Sequence, residues 1–158
     1  MKLNSILVLF LLLGCSNSSE PEELNELVRD FYLSNAAGIR TTTFKSSEDI
    51  IFNYMFINNT EDSLQYGLTH SGPFVSFVVM KDSLKIGSTT DGYVFLLDAP
   101  MGVMLPGDTM WARHSWLPNK YHDKLQPSNY TAHAKLHISF KDHVWNGTGN
   151  IDFFILKF

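Results

Sequence analysis

From residue 39 onward, apolar and polar residues alternate with period two rather than with the 3.6-residue period of a helix. Ile50 to Ile57 sets Phe52, Tyr54 and Phe56 on one face. Tyr130 to Phe140 is longer: Tyr130, Ala132, Ala134, Leu136, Ile138 and Phe140 share one face, and Thr131, His133, Lys135, His137 and Ser139 share the other. One dry face and one wet face describe a strand in an antiparallel sheet packed on one side. The same pattern predicts strands at Ile39 to Phe44, Leu64 to Thr69, Phe74 to Met80, Leu84 to Ile86, Tyr93 to Leu97, Met110 to Trp116 and Ile151 to Phe158. Turn residues separate them at Asn58-Asn59-Thr60-Glu61-Asp62, Ser71-Gly72-Pro73, Lys81-Asp82 and Asn146-Gly147. Asp91-Gly92 is expected to be a tight hairpin turn, because glycine accepts the positive φ that such a turn needs. Short strands with a turn about every ten residues predict an all-β fold, a sandwich or barrel.

Before residue 39 the pattern changes. Leu24, Leu27, Val28, Phe31 and Tyr32 fall at i, i+3, i+4, i+7 and i+8, one face of a helix. Ser19 and Glu22 are spaced as a capping box, and Pro21 suits a first turn. This predicts a short amphipathic helix over residues 24–38, although Phe31-Tyr32-Leu33 also suits the start of an edge strand. Ala36-Ala37-Gly38 ends the element in either case. The sandwich domain is then expected over 39–158.

The first residues read differently again. Lys2 precedes an unbroken apolar run, Ile6 to Leu13. Eight residues are too short to span about 30 Å of hydrocarbon as a helix, so residues 1–14 read as a signal peptide. The run ends Leu12-Leu13-Gly14-Cys15, which resembles the lipobox of bacterial lipoproteins; Leu13 stands where a smaller residue is usual. The resemblance implies that Cys15 carries lipid and becomes the new N-terminus. Ser16 follows in place of the aspartate that favours inner-membrane retention, which implies an outer-membrane address, on the periplasmic or surface face. Residues 15–23 form an acidic tether, either a solvated linker or, by loose resemblance, an export signal of surface lipoproteins. Cys15 is the only cysteine, so no intramolecular disulfide is available.

Composition narrows the function classes. The 158 residues are 44% hydrophobic and 18% charged, the balance of one globular domain. The net charge of −4 and the lack of any Lys/Arg cluster argue against a nucleic-acid partner.

The stretch from Met104 to Ile138 carries a more specific signal. Leu125-x-Pro127-x-x-Tyr130 has the spacing of a tyrosine corner, in which the hydroxyl bonds back across the turn before a strand of an immunoglobulin-like domain. Leu105-Pro106-Gly107-Asp108, Trp116 and Pro127-Ser128-Asn129-Tyr130 together resemble the landmarks of the intracellular proteinase inhibitor (BsuPI-type) family; Ser128 stands where that family usually has glycine. The resemblance implies an immunoglobulin-like antiparallel sandwich and, by analogy alone, proteinase inhibition.

Candidate chemistry is sparse. His133 and His137 share a face, but four residues of strand separate them by roughly 13 Å, too far to share an ion. His114, His122 and Asp123 lack metal-ligand spacing. No Gly-x-Ser-x-Gly elbow is present. Neither a metal, a cofactor nor catalysis is therefore expected. Asp62-Ser63-Leu64, Asp82-Ser83-Leu84 and Asp108-Thr109-Met110 resemble an O-glycosylation motif of Bacteroidetes-type bacteria, at Ser63, Ser83 and Thr109, though ordinary turn chemistry accounts for them equally. The longest irregular stretch, Leu117 to Ser128, holds Leu117, Lys120, Tyr121 and His122, a candidate binding loop unless Tyr121 serves to pack the loop on the sheet. The sequence as a whole predicts a lipid-anchored envelope module that acts by contact with a protein partner or a protease.

Overall fold

The computed structural model describes residues 26–118, 123–141 and 149–156. The described residues form eleven strands and no helix: β1 (Leu27–Ser34), β2 (Thr43–Lys45), β3 (Ile51–Asn58), β4 (Leu64–Leu68), β5 (Val75–Lys81), β6 (Leu84–Ser88), β7 (Met101–Met104), β8 (Thr109–Ser115), β9 (Ser128–Leu136), β10 (Ile138–Phe140) and β11 (Gly149–Leu156). They pair as β1-β3-β8, β2-β11-β9-β5-β6 and β10-β4-β7. The named pairs are antiparallel except β2 with β11, which run parallel. The fold is an all-β sandwich.

The core draws on all three sheets. From β3, Phe52 stacks on Phe77 of β5 with ring centroids 5.3 Å apart. Phe56 meets Phe140 of β10 at 5.2 Å and Phe74 at 5.9 Å. Trp116, at the end of β8, is buried against Phe52. Burying an aromatic or aliphatic side chain of this size stabilises by about 1.5–3 kcal/mol. This core holds without a disulfide, because no second cysteine exists.

Several expectations change. The helix expected over residues 24–38 is strand β1 from Leu27 onward, and the sandwich begins there rather than at residue 39. Eight residues of β1 pair in register with β3, Leu27 opposite Asn58 through Ser34 opposite Ile51. The apparent helical face is divided between the two sides of that strand. Leu27 is in the core and Phe31 stacks on Phe77, while Tyr32 faces the other way against Trp111 of β8. A complete strand ladder outweighs weak local periodicity. The capping residues Ser19, Pro21 and Glu22 lie outside the described residues. Of the expected 39–44 strand only Thr43 and Phe44 pair in a sheet, within β2, apart from one bridge from Arg40 to Ser34. Tyr93 to Leu97 is not a strand; the chain leaves the sheet at a turn in which Asp91 Oδ2 accepts the Ser88 amide at 2.6 Å. The two-residue hairpin turn is instead Asp82-Ser83, both at positive φ, between β5 and β6.

The long alternating run proves to be two strands. β9 buries Tyr130, Ala132 and Ala134 as expected, then the chain crosses sheets at His137. The His137 amide donates to the Phe74 carbonyl at 2.7 Å, and its carbonyl accepts from the Thr69 amide at 2.9 Å. β10 continues the pattern in another sheet beside β4.

One buried residue ties the first sheet to the third. The Asn58 side chain is wholly buried. Its Nδ2 donates to the carbonyls of Asp62 (2.8 Å) and Met104 (3.1 Å), and its Oδ1 accepts from the Thr60 amide (3.1 Å) and hydroxyl (2.7 Å). The Asn58 carbonyl accepts from Gly107, whose φ of +80° lets the Pro106-Gly107 turn close between β7 and β8. The chain therefore enters the sandwich, at Leu27, beside the β7–β8 turn: the Asn59 amide donates to the Glu26 carbonyl at 3.2 Å.

Candidate functional site

The tyrosine corner is present. Tyr130 is buried at the start of β9, its hydroxyl donating to the Gln126 carbonyl at 2.8 Å and accepting from the Gln126 amide at 3.1 Å. Burial pushes the phenol pKa up. Leu125 is also buried, and the Trp116 indole donates to the Asp123 carbonyl at 3.1 Å. These contacts fix both ends of the candidate binding loop. Leu117 is exposed. Lys120, Tyr121 and His122 lie outside the described residues, as does Cys15. A cleft of about 130 Å³ beside the loop, lined by Glu48, Trp116, Pro118 and Leu125 among others, is smaller than the 300 Å³ or more of small-molecule sites.

Ser63, Ser83 and Thr109 are all exposed, at or next to turns. No group of three histidine, cysteine or acidic side chains able to hold a metal occurs among the described residues. His114 is held below the usual histidine pKa by burial, against Phe77.

A ring cluster that the sequence did not foretell sits where β9 passes to β10. The His137 ring lies 4.5 Å from that of His70, and His70 stacks on Phe95 at 4.7 Å, nearly parallel. Ser76 Oγ is 2.9 Å from His137 Nε2. Burial first, then the His70 ring and Lys135, push His137 below the usual histidine pKa. A serine beside a neutral imidazole has the outline of a nucleophile and base, but Ser76 is buried on β5. What the cluster does visibly is pin the irregular segment that follows β6. Ser71 and Leu96 reinforce it, with the Ser71 amide donating to the Leu96 carbonyl and the Leu96 amide to Ser71 Oγ, both at 3.0 Å. Gly72 is required here, since a Cβ at that position would lie 2.4 Å from the Phe95 ring.

The pinned segment and β7 together form a strap, residues 93–105, whose outward side is apolar except for the exposed Asp98. Val94 is 94% exposed, Leu97 91% and Met101 88%; Tyr93, Leu96, Val103 and Leu105 are exposed as well. Only Phe95 and Met104 turn inward. Seven large apolar side chains in thirteen residues is far from the scattered single exposures of an ordinary surface. β7 has one partner, β4, and so forms a sheet edge. Pro100 and Pro106 bracket that edge, leaving four strand residues between them. So short an edge offers few hydrogen bonds to an added strand; the side chains, not the backbone, are what the strap presents. No Lys or Arg occurs between Lys85 and Arg113.

No family model matches the chain, and no curated protein matches it. Among solved structures it is similar to a β-glucosidase of Erythrobacter marinus, with 8% identity and a TM-score of 0.41 over 82% of this chain and 16% of that one. It is similar to the C-terminal domain of Wzt, with 12% identity and a TM-score of 0.43 over 84% and 79% of the two chains. A β-glucosidase of Listeria innocua in complex with glucose gives 8% identity and a TM-score of 0.40, over 80% of this chain and 16% of that one. The chain thus spans about a sixth of the length of these β-glucosidases.

Proposed function

We propose that this protein is a lipid-anchored module of the bacterial outer membrane that acts by surface contact. Cys15, behind its apolar run, is the anchor, and the sandwich is a rigid carrier for a contact surface. The observation that carries the contact reading is the strap, because a soluble domain gains nothing in stability by exposing Val94, Leu97 and Met101. The exposure of Ser63, Ser83 and Thr109 supports glycan attachment at those positions in the same compartment.

A fatty-acid probe fed to producing cells tests the anchor. It labels the wild-type chain and not Cys15→Ala, and the variant leaves the membrane fraction; equal labelling of both ends the lipoprotein reading. Val94→Asp/Leu97→Asp tests the surface. Both side chains are outside the core, so the melting temperature stays within about 2 °C of wild type, the shift of a surface change near 0.5 kcal/mol. A large loss of stability would make the strap part of the core.

Proteinase inhibition is the second reading. The Pro106-Gly107 turn, buried Trp116 and the Tyr130 corner each do structural work where the resembled family has its landmarks. Nanomolar inhibition of one proteinase in a panel of envelope and host enzymes would replace the first reading with this one.

A further inference from the structure

We infer that the strap seats on a lipid surface, its outward side chains entering the headgroup layer of the bilayer that holds Cys15. The inference rests on the lipid-anchored reading and names what the strap contacts.

The first argument is where the chain enters the fold. Glu26 is bonded to Asn59, and Asn58 holds both Met104 and Gly107. The N-terminal segment therefore arrives at the Leu105 end of the strap. Cys15 precedes Glu26 by eleven residues. Fully extended, they reach at most about 40 Å, roughly the diameter of a domain this size. A tether no longer than the domain is wide, joined at that corner, leaves the strap within reach of the bilayer. β7 itself spans only about 14 Å from Leu105 to Met101.

The second argument is chemical. Irregular backbone does not enter hydrocarbon, because its polar groups would go unpaired there. The strap meets this limit by staying at the level of the headgroups: the Tyr93 and Leu96 amides donate within the fold and the Leu96 and Pro100 carbonyls accept there, and its other polar backbone groups stay where water and headgroups can partner them. Side chains are left to project, with Tyr93 at one end, a residue suited to the membrane interface. Without Lys or Arg from 86 to 112, attraction to anionic lipid contributes little. Seating is driven by apolar burial, and it is insensitive to salt.

The test uses the lipidated chain carrying Leu97→Cys, in which acylated Cys15 leaves residue 97 the only free thiol. An environment-sensitive dye is attached there, and the protein is reconstituted in phosphatidylcholine vesicles with or without acyl-chain spin labels. A second preparation carries the dye at Ser47→Cys, exposed beyond β2 near the Ile51 end of β3. Position 97 is expected to show blue-shifted emission and spin-label quenching several-fold stronger than position 47, unchanged between 50 mM and 500 mM NaCl. In an unlipidated Cys15→Ser chain with the dye at Val94→Cys, Leu97→Asp lowers vesicle partition at least about tenfold, the worth of one buried leucine. Equal, water-like emission at 97 and 47 in the anchored protein overturns the inference, as does vesicle partition of the unlipidated chain that Leu97→Asp leaves unchanged. Fatty-acid labelling of Cys15 is read separately, so loss of lipid seating and loss of the anchor are distinguishable.

Discussion

Replacing Tyr130 by Phe removes one oxygen and leaves the ring, with its stacking on Phe153 at 5.5 Å, in place. That oxygen makes two hydrogen bonds to the backbone of one residue, 2.8 Å to the Gln126 carbonyl and 3.1 Å from its amide. A hydrogen bond contributes about 1 kcal/mol net, and two set an upper value of about 2. Gln126 is exposed, so water re-partners part of what is freed. The expected loss is therefore about 1 to 1.5 kcal/mol. With a urea m-value of about 2 kcal/mol/M, the midpoint falls by about 0.6 M at constant slope. Gln126→Ala is the control: it keeps the backbone groups that bond Tyr130 and should leave the midpoint within about 0.2 M, as a surface change does. Identical midpoints for Tyr130→Phe and wild type would refute the corner as a source of stability. A loss as large for Gln126→Ala would place the effect in the Gln126 side chain instead.

Asn58→Ala removes four side-chain hydrogen bonds from a wholly buried position and leaves the Met104 carbonyl without one partner. It should destabilise by about 3 kcal/mol, and a melt within 2 °C of wild type would contradict this. His137 and His114 are both held below the usual histidine pKa in the fold, by burial first. The unfolded chain therefore binds more protons as pH falls through about 6.5, and stability declines from there downward until the folded-state values are passed. His137→Gln should flatten part of that decline in urea melts between pH 7.5 and 5, and an unchanged slope would remove His137 from its cause.

The all-β sandwich was legible because its strands bury one face each: Phe52, Tyr54 and Phe56, or Tyr130, Ala132 and Ala134, announce their core side by alternation alone. The tyrosine corner was legible too, since Leu125 and Tyr130 act within one turn. β1 was not, because Leu27, Val28, Phe31 and Tyr32 fit a helical face as well as a strand, and only pairing with β3 decides between them. His137 lay on a wet face by pattern, and what gives it neighbours is the return of His70 and Phe95 from other parts of the chain. Tyr93 to Leu97 misled for a related reason. Its unbroken apolar run reads as a strand buried on both faces, yet no sheet receives it, and nothing local in the sequence separates the two outcomes.

The central claim is that an anchored sandwich works through its apolar strap, and a photo-cross-linking residue at position 97 of the full-length chain in living cells tests it most directly. Activated by light in intact envelopes, it should yield lipid adducts several-fold above those from the same residue at position 47, identified by mass spectrometry of the extracted protein. Adduct levels at position 97 no higher than at position 47 would contradict the claim.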